Sequence, residues 1–60
     1  MIALALQKGT YVYVYDEKNY QLFYHYGELI GFTGSSVSIK RDGCIFVYDD
    51  KDSQLYYRSV

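Results

Sequence analysis

The chain has no proline and no tryptophan, and it has one cysteine and one histidine among its 60 residues. A single cysteine cannot form an internal disulfide, and one cysteine with one histidine cannot supply the ligand set of a zinc site. These absences exclude a disulfide-dense secreted scaffold, and we expect neither a metal nor a cofactor. The unpaired thiol of Cys44 favours a reducing compartment.

An excess of charge of either sign is also missing, since six Lys and Arg residues stand against seven Asp and Glu residues. A nucleic-acid module of the usual kind carries surplus basic residues that neutralise phosphates, so nucleic acid is not an expected partner. The apolar run at residues 1–6 is far shorter than the ~20 residues of a membrane helix, and it lacks the basic start of a signal peptide. We expect a soluble, cytoplasmic protein that makes no membrane contact.

Tyrosine is abundant: nine of the twelve aromatic residues are Tyr, and hydrophobic types make up 50% of the chain. A domain of this size buries only about 60% of the surface that its unfolded chain exposes, so its stability is marginal. Because the chain has no disulfide or metal to stabilise it, association with another copy is the remaining way to bury more surface. Tyrosine is enriched at such interfaces.

The chain contains an internal duplication with an offset of 33 residues. Residues 14–24 align with residues 47–57, and seven of these eleven pairs are identical. We predict one domain over residues 1–60, with repeat 1 at about 2–26, a linker at 27–35 and repeat 2 at about 36–59. Two units are too few for a solenoid, so we expect one pseudo-symmetric domain.

Each repeat is predicted to be a meander of three antiparallel strands. The strands cover residues 2–7, 10–15 and 20–26 in repeat 1, and residues 36–40, 44–48 and 53–59 in repeat 2. The second strand of each repeat is β-branched and aromatic, which suits a pleated sheet and disfavours a helix. The predicted fold is therefore all-β: one small, pseudo-two-fold, six-stranded barrel or sandwich.

Turn residues support this interpretation. Asp42-Gly43 is a strong signal for a two-residue hairpin, and Asn19 and Asp52 suit the left-handed position that closes a bulged type I turn. In the linker we expect glycines at bends, with Leu29, Ile30 and Phe32 plugging one open end of the barrel.

The bulged turns predict which side chains share a face. With Asp16 opposite Tyr20, Val14 lies opposite Leu22, Val12 opposite Tyr24, Tyr13 opposite Phe23 and Tyr11 opposite His25; in repeat 2 the same rule pairs Val47 with Leu55, Ile45 with Tyr57, Phe46 with Tyr56 and Cys44 with Arg58. The aliphatic face is the predicted core of both repeats.

The register of the first hairpin stays open at this point. A two-residue turn at Asp42-Gly43 places Val37 and Ile39 on the face of Phe46 and Tyr48. A shift of one residue places them on the opposite face.

The face opposite the aliphatic core is the candidate interaction face. Its predicted members are Tyr11, Tyr13, Tyr15, Phe23, His25, Phe46, Tyr48, Tyr56 and Arg58. Our first hypothesis is a non-enzymatic module that forms a homo-oligomer, a dimer in the first instance, through this face. A different protein partner is a second possibility. The alternative is a ligand-binding module on whose tyrosines single-stranded nucleic acid or sugar rings stack, although few positive charges lie near this face.

An enzyme is not expected. Cys44 and His25 are the only candidates for a nucleophile and a base, they fall in different repeats, and spacing nominates no third residue. The acidic residues Asp42, Asp49, Asp50 and Asp52 lack the spacing of a calcium-binding loop, so we interpret them as turn residues.

Overall fold

The computed structural model describes residues 1–59 and places seven β-strands in two antiparallel sheets. The strands are β1 (Ile2–Lys8), β2 (Tyr11–Asp16), β3 (Gln21–Tyr26), β4 (Glu28–Phe32), β5 (Ser36–Arg41), β6 (Cys44–Asp49) and β7 (Gln54–Ser59). Sheet A has the order β1-β2-β3 and sheet B the order β4-β5-β6-β7, and together they form a small sandwich. The predicted all-β fold is confirmed. Residues 1–59 contain no helix long and apolar enough to cross a membrane.

The predicted plug at residues 29–32 is wrong, because this part of the linker forms a seventh strand. β4 pairs with β5, and its backbone is held by Gln7 on β1. The Gln7 amide accepts a hydrogen bond from Leu29 N at 2.6 Å and donates to the carbonyl of Gly27 at 3.0 Å. A contact between residues so far apart along the chain leaves no local signal in the sequence, and so the strand was not predicted.

The predicted turns are confirmed. Asn19 and Asp52 adopt positive φ angles of 67° and 65°. In each turn the preceding aspartate, Asp16 or Asp49, accepts hydrogen bonds from two backbone amides through one carboxylate oxygen. These aspartates therefore stabilise the turns, as their counterparts do in many β-hairpins.

The hairpin between β5 and β6 has the two-residue form, which resolves its register. Asp42 and Gly43 have φ angles of 52° and 76°, the pair of positive angles that defines a type I′ turn. Val37 therefore lies opposite Tyr48, and Ile39 opposite Phe46.

The predicted pairing of β2 with β3 is wrong by one residue. Val12 lies opposite His25, Val14 opposite Phe23 and Tyr13 opposite Tyr24, because a β-bulge follows the Tyr15–Gln21 pair. The same bulge in repeat 2 leaves Val47 opposite Tyr56 and Ile45 opposite Arg58. Each bulge adds one residue to the strand, and a slip of one residue exchanges the two faces.

The core lies between the two sheets. Its buried residues are Ile2, Ala5, Val12, Val14, Phe23, Val37, Ile39 and Tyr48, with Leu22, Leu29 and Phe46 packed against them. The prediction that the aliphatic face forms the core is confirmed for repeat 1. For repeat 2 it is wrong about the cluster between the sheets, because the type I′ turn aligns Phe46 and Tyr48 with the buried Val37 and Ile39. Ile45 and Val47 lie on the other side of sheet B, where Val47 is nevertheless buried, with 6% of its surface exposed.

Gly27 and Gly31 provide a matched pair of substitutions. A Cβ at Gly27 (φ 140°) would lie 2.6 Å from Ile39 Cγ2 and 2.9 Å from the Lys40 carbonyl, whereas a Cβ at Gly31 meets nothing within 4 Å. We predict that Gly27→Ala lowers the free energy of unfolding by about 2–4 kcal/mol through backbone strain and overpacking. Gly31→Ala should change it by less than about 1 kcal/mol. Urea denaturation measures both, and equal midpoints for the two variants would contradict the prediction.

Candidate functional site

The nine predicted site residues do not form one face. Tyr11, Tyr13 and Tyr15 lie on the outer face of sheet A, Phe23, His25, Phe46 and Tyr48 lie on the inner sides of the sheets, and Tyr56 and Arg58 lie on the outer face of sheet B. The two bulges explain the separation in part, because they turn β3 and β7 over relative to the predicted register. The rest of the separation arises because the aromatic residues of β6, Phe46 and Tyr48, face the core, whereas the tyrosines of β2 face outward.

The outer face of sheet A is a continuous surface of aromatic and aliphatic side chains, which we call the outer tyrosine face. Its members are Leu4, Leu6, Tyr11, Tyr13, Tyr15, Tyr24 and Tyr26. The rings of Tyr13 and Tyr24 stack with centroids 5.6 Å apart, and Tyr11 meets Tyr24 and Tyr26 edge-on at 5.9 Å each. Sequence reasoning missed Tyr24 and Tyr26 because the predicted register put Tyr24 on the aliphatic face.

The outer tyrosine face carries little charge. Of the outward positions on β1, β2 and β3, the charged one is Lys8, whose ammonium lies 5.4 Å from the centroid of the Tyr13 ring. Covering this face therefore removes few charged groups from water, so the desolvation free energy that opposes its burial is small. Exposed apolar patches of this kind mark interaction sites on soluble proteins.

The outer face of sheet B holds a second surface, a shallow groove of about 260 Å³ that we call the outer groove. It is lined by Ile30, Ser38, Ile45, Val47, Tyr56 and Arg58. The sequence offered one cue, since the strand at residues 44–48 is apolar on both sides, but the expected core position of Ile45 and Val47 concealed this surface.

The inner members of the predicted site hold the two sheets together. The imidazole of His25 stacks on the Tyr48 ring at 4.1 Å between centroids and is hydrogen-bonded to the Asp52 carboxylate. Arg41 donates a hydrogen bond to the Tyr48 hydroxyl at 2.7 Å, and its guanidinium lies 4.3 Å from the centroid of the Phe46 ring. His25, Phe46 and Tyr48 thus have a structural part in the sandwich.

Cys44 and His25, the candidates for a nucleophile and a base, contact different residues in the structure. Cys44 lies at the start of β6, between Arg41 and Ser59 of the neighbouring strands, whereas His25 contacts Asp52 and Tyr48. In the described part of the chain, no three His, Cys, Asp or Glu side chains are arranged to hold a metal ion.

Comparisons with known proteins identify no relative. No family model, no curated protein and no solved structure matches the chain. Function is therefore inferred from the chemistry of the two outer surfaces.

Substitutions at Tyr48 and Tyr56 compare a buried, hydrogen-bonded tyrosine with an exposed one. Tyr48→Phe removes the acceptor of the Arg41 hydrogen bond, and we predict a loss of about 1–2 kcal/mol in the free energy of unfolding. Tyr56→Phe, on the outer face, should change it by less than about 0.5 kcal/mol. Thermal or urea denaturation distinguishes the two, and a neutral Tyr48→Phe variant would show that the contact does not stabilise the sandwich.

Proposed function

We propose that this protein is a small, non-enzymatic β-module that associates with copies of itself through the outer tyrosine face. One observation carries the proposal. Leu4, Leu6, Tyr11, Tyr24 and Tyr26 leave between 37% and 55% of their surface exposed on a single sheet face that bears one charged residue.

Burial energetics favours association at this face. A chain of 60 residues has few core side chains to offset its conformational entropy, and removing apolar surface from water contributes roughly 25 cal/mol per Å². The ring contacts among Tyr11, Tyr13 and Tyr24 hold these side chains in place before a partner arrives. Preorganised side chains lose less entropy on binding.

The location and the lack of catalysis are parts of the same proposal. Cys44 is a free, half-buried cysteine. Because free thiols are typical of reducing compartments, we assign the protein to the cytoplasm on this ground. The single histidine is engaged by an aromatic ring and a carboxylate between the sheets, which fits a binding module better than an enzyme.

A ligand-binding module is the second candidate, and the stacked pair Tyr13–Tyr24 with Lys8 over the Tyr13 ring is the observation in its favour. Bases and sugar rings stack on such platforms. Proteins that bind single strands also need a positively charged groove along the backbone, and Lys8 alone does not provide one. Self-association is therefore the better-supported function.

Leu6→Lys tests the proposal. Leu6 lies opposite Tyr13, so a lysine here puts a charge into the middle of the face, and we predict association weaker by at least about tenfold. Light scattering after size-exclusion chromatography, from micromolar to millimolar protein, measures it. Tyr20→Lys adds the same charge at an exposed turn residue outside the face and should associate as the unsubstituted protein does.

Two outcomes would contradict self-association at this face. One is an unchanged mass for Leu6→Lys with an unchanged melting temperature. The other is a monomer for the unsubstituted protein at every concentration. In the second case, titration with oligothymidylate and with a soluble oligosaccharide tests the ligand-binding candidate, which predicts binding that Leu6→Lys weakens.

A further inference from the structure

The two repeats bury opposite faces. Positions 33 residues apart are equivalent, so Val12 and Val14 correspond to Ile45 and Val47. Val12 and Val14 are fully buried between the sheets, whereas Ile45 and Val47 lie on the other side of their sheet and line the outer groove, Val47 at its floor with 6% of its surface exposed. Conversely, Tyr15 lies on the outer tyrosine face while its equivalent, Tyr48, is in the core.

The reversal of buried and outward faces between the repeats also holds for the strands next to β2 and β6. On β1 and β5, Leu4 and Leu6 face outward, and their equivalents Val37 and Ile39 are fully buried. On β3 and β7, the inward side chains Phe23 and His25 correspond to Tyr56 and Arg58, which line the outer groove.

The interior of the sandwich is consequently a contact between two different faces of one repeated unit. A two-fold relation between the repeats would bury the same face of each. Here the inner face of sheet A meets the face of sheet B that is equivalent to the outer tyrosine face. One unused copy of each face remains on the outside: the outer tyrosine face on sheet A and the outer groove on sheet B.

We propose, resting on the self-association proposed above, that the outer tyrosine face of one copy docks on the outer groove of a second copy. The intermolecular contact repeats the sheet-to-sheet contact that the chain already makes internally. The occupant of each surface is thus the complementary surface of another copy of this chain.

Specific contacts follow from the equivalence. Inside the molecule, His25 stacks on Tyr48, and the equivalent pair between molecules is Arg58 on Tyr15. An arginine over a tyrosine ring is a favourable cation–π contact. Likewise the internal partner of His25, Asp52, corresponds to Asn19, whose amide can accept a hydrogen bond from Arg58 of the second copy.

Two further features show that both surfaces are already formed. Lys8 lies over the ring of Tyr13 on the outer tyrosine face, as its equivalent Arg41 lies over Phe46 inside. In the outer groove, Ser38 occupies the position of Ala5, another small residue, so that the groove keeps room for facing side chains.

A contact between unlike faces has a consequence for stoichiometry. When two copies dock, one uses its outer tyrosine face and the other its outer groove, so the assembly as a whole still has one free surface of each kind. Association therefore continues beyond two copies unless the rotation closes a ring. A contact of the outer tyrosine face with itself would instead stop at a dimer.

Two complementary variants test the head-to-tail contact. Leu6→Lys blocks the outer tyrosine face, and Ser38→Lys places a charged side chain in the outer groove without removing a core group. We expect each variant alone to be monomeric at concentrations where the unsubstituted protein associates. A 1:1 mixture should form a heterodimer, because each variant retains the surface that the other has lost. Ser59→Lys, on the opposite side of sheet B, is the matched control and should associate as the unsubstituted protein does.

Light scattering on the single variants and the mixture, with circular dichroism melting curves to verify folding, separates the outcomes. If Ser38→Lys retains the mass of the unsubstituted protein while Leu6→Lys is monomeric, the tyrosine face pairs with itself; the head-to-tail contact is then wrong and the proposed self-association stands. If Leu6→Lys does not weaken association, the proposed function itself fails. Two folded monomers that give no heterodimer on mixing would also overturn the head-to-tail contact.

Discussion

A sandwich of two sheets has four faces and can bury only two of them against each other. In a long chain, helices or further sheets cover the remaining faces, but residues 1–59 of this short chain provide seven strands and no further layer. Strands β2 and β6 are nevertheless apolar on both sides. The surfaces of the molecule follow from this constraint, because whichever face of each strand is left out of the core remains an apolar part of an outer sheet face.

Local backbone geometry decides which faces are buried. The type I′ turn at Asp42-Gly43 aligns the aromatic side of β6 with Val37 and Ile39, and this aligned set enters the core. The bulges at the starts of β3 and β7 then add one residue to each strand and turn its side chains over relative to the preceding hairpin. A few residues in turns and bulges thereby decide which face of each strand lies inside and which lies outside.

The parts of the fold that depend on short-range patterns could be predicted from the sequence. The all-β class, the positive φ angles of Asn19 and Asp52 and the Asp42-Gly43 hairpin are readable from residues adjacent along the chain. The duplication is visible because the sequence matches itself at an offset of 33 residues. Strand β4 could not be predicted, because its backbone is held by Gln7 from a distant part of the chain.

The candidate site was predicted less well, since membership of a face requires the register of every strand. Tyr11, Tyr13 and Tyr15 were placed together correctly because they lie on one strand and alternate with valines. The bulged residues Leu22 and Leu55 carry no glycine or other marker, so the exchange of Phe23 for Tyr24 on that face had no visible signal. The same missing information concealed the opposite burial of the two repeats, which only the paired registers of both sheets make evident.

Duplication followed by packing of unlike faces also explains where the charges lie. The equivalent turns at residues 16–19 and 49–52 fall at the same end of the sandwich, where the N-terminal ammonium lies 3.9 Å from Glu17 and 3.4 Å from its equivalent, Asp50. In the proposed head-to-tail assembly, stacking that repeats the internal contact would add further acidic turns to that end, and like charges at the surface repel over about a Debye length. Apolar burial on the sheet faces would then work against electrostatic repulsion along one edge. Under this proposal, dissolved salt therefore favours association, because it screens the exposed carboxylates and leaves the apolar contact intact.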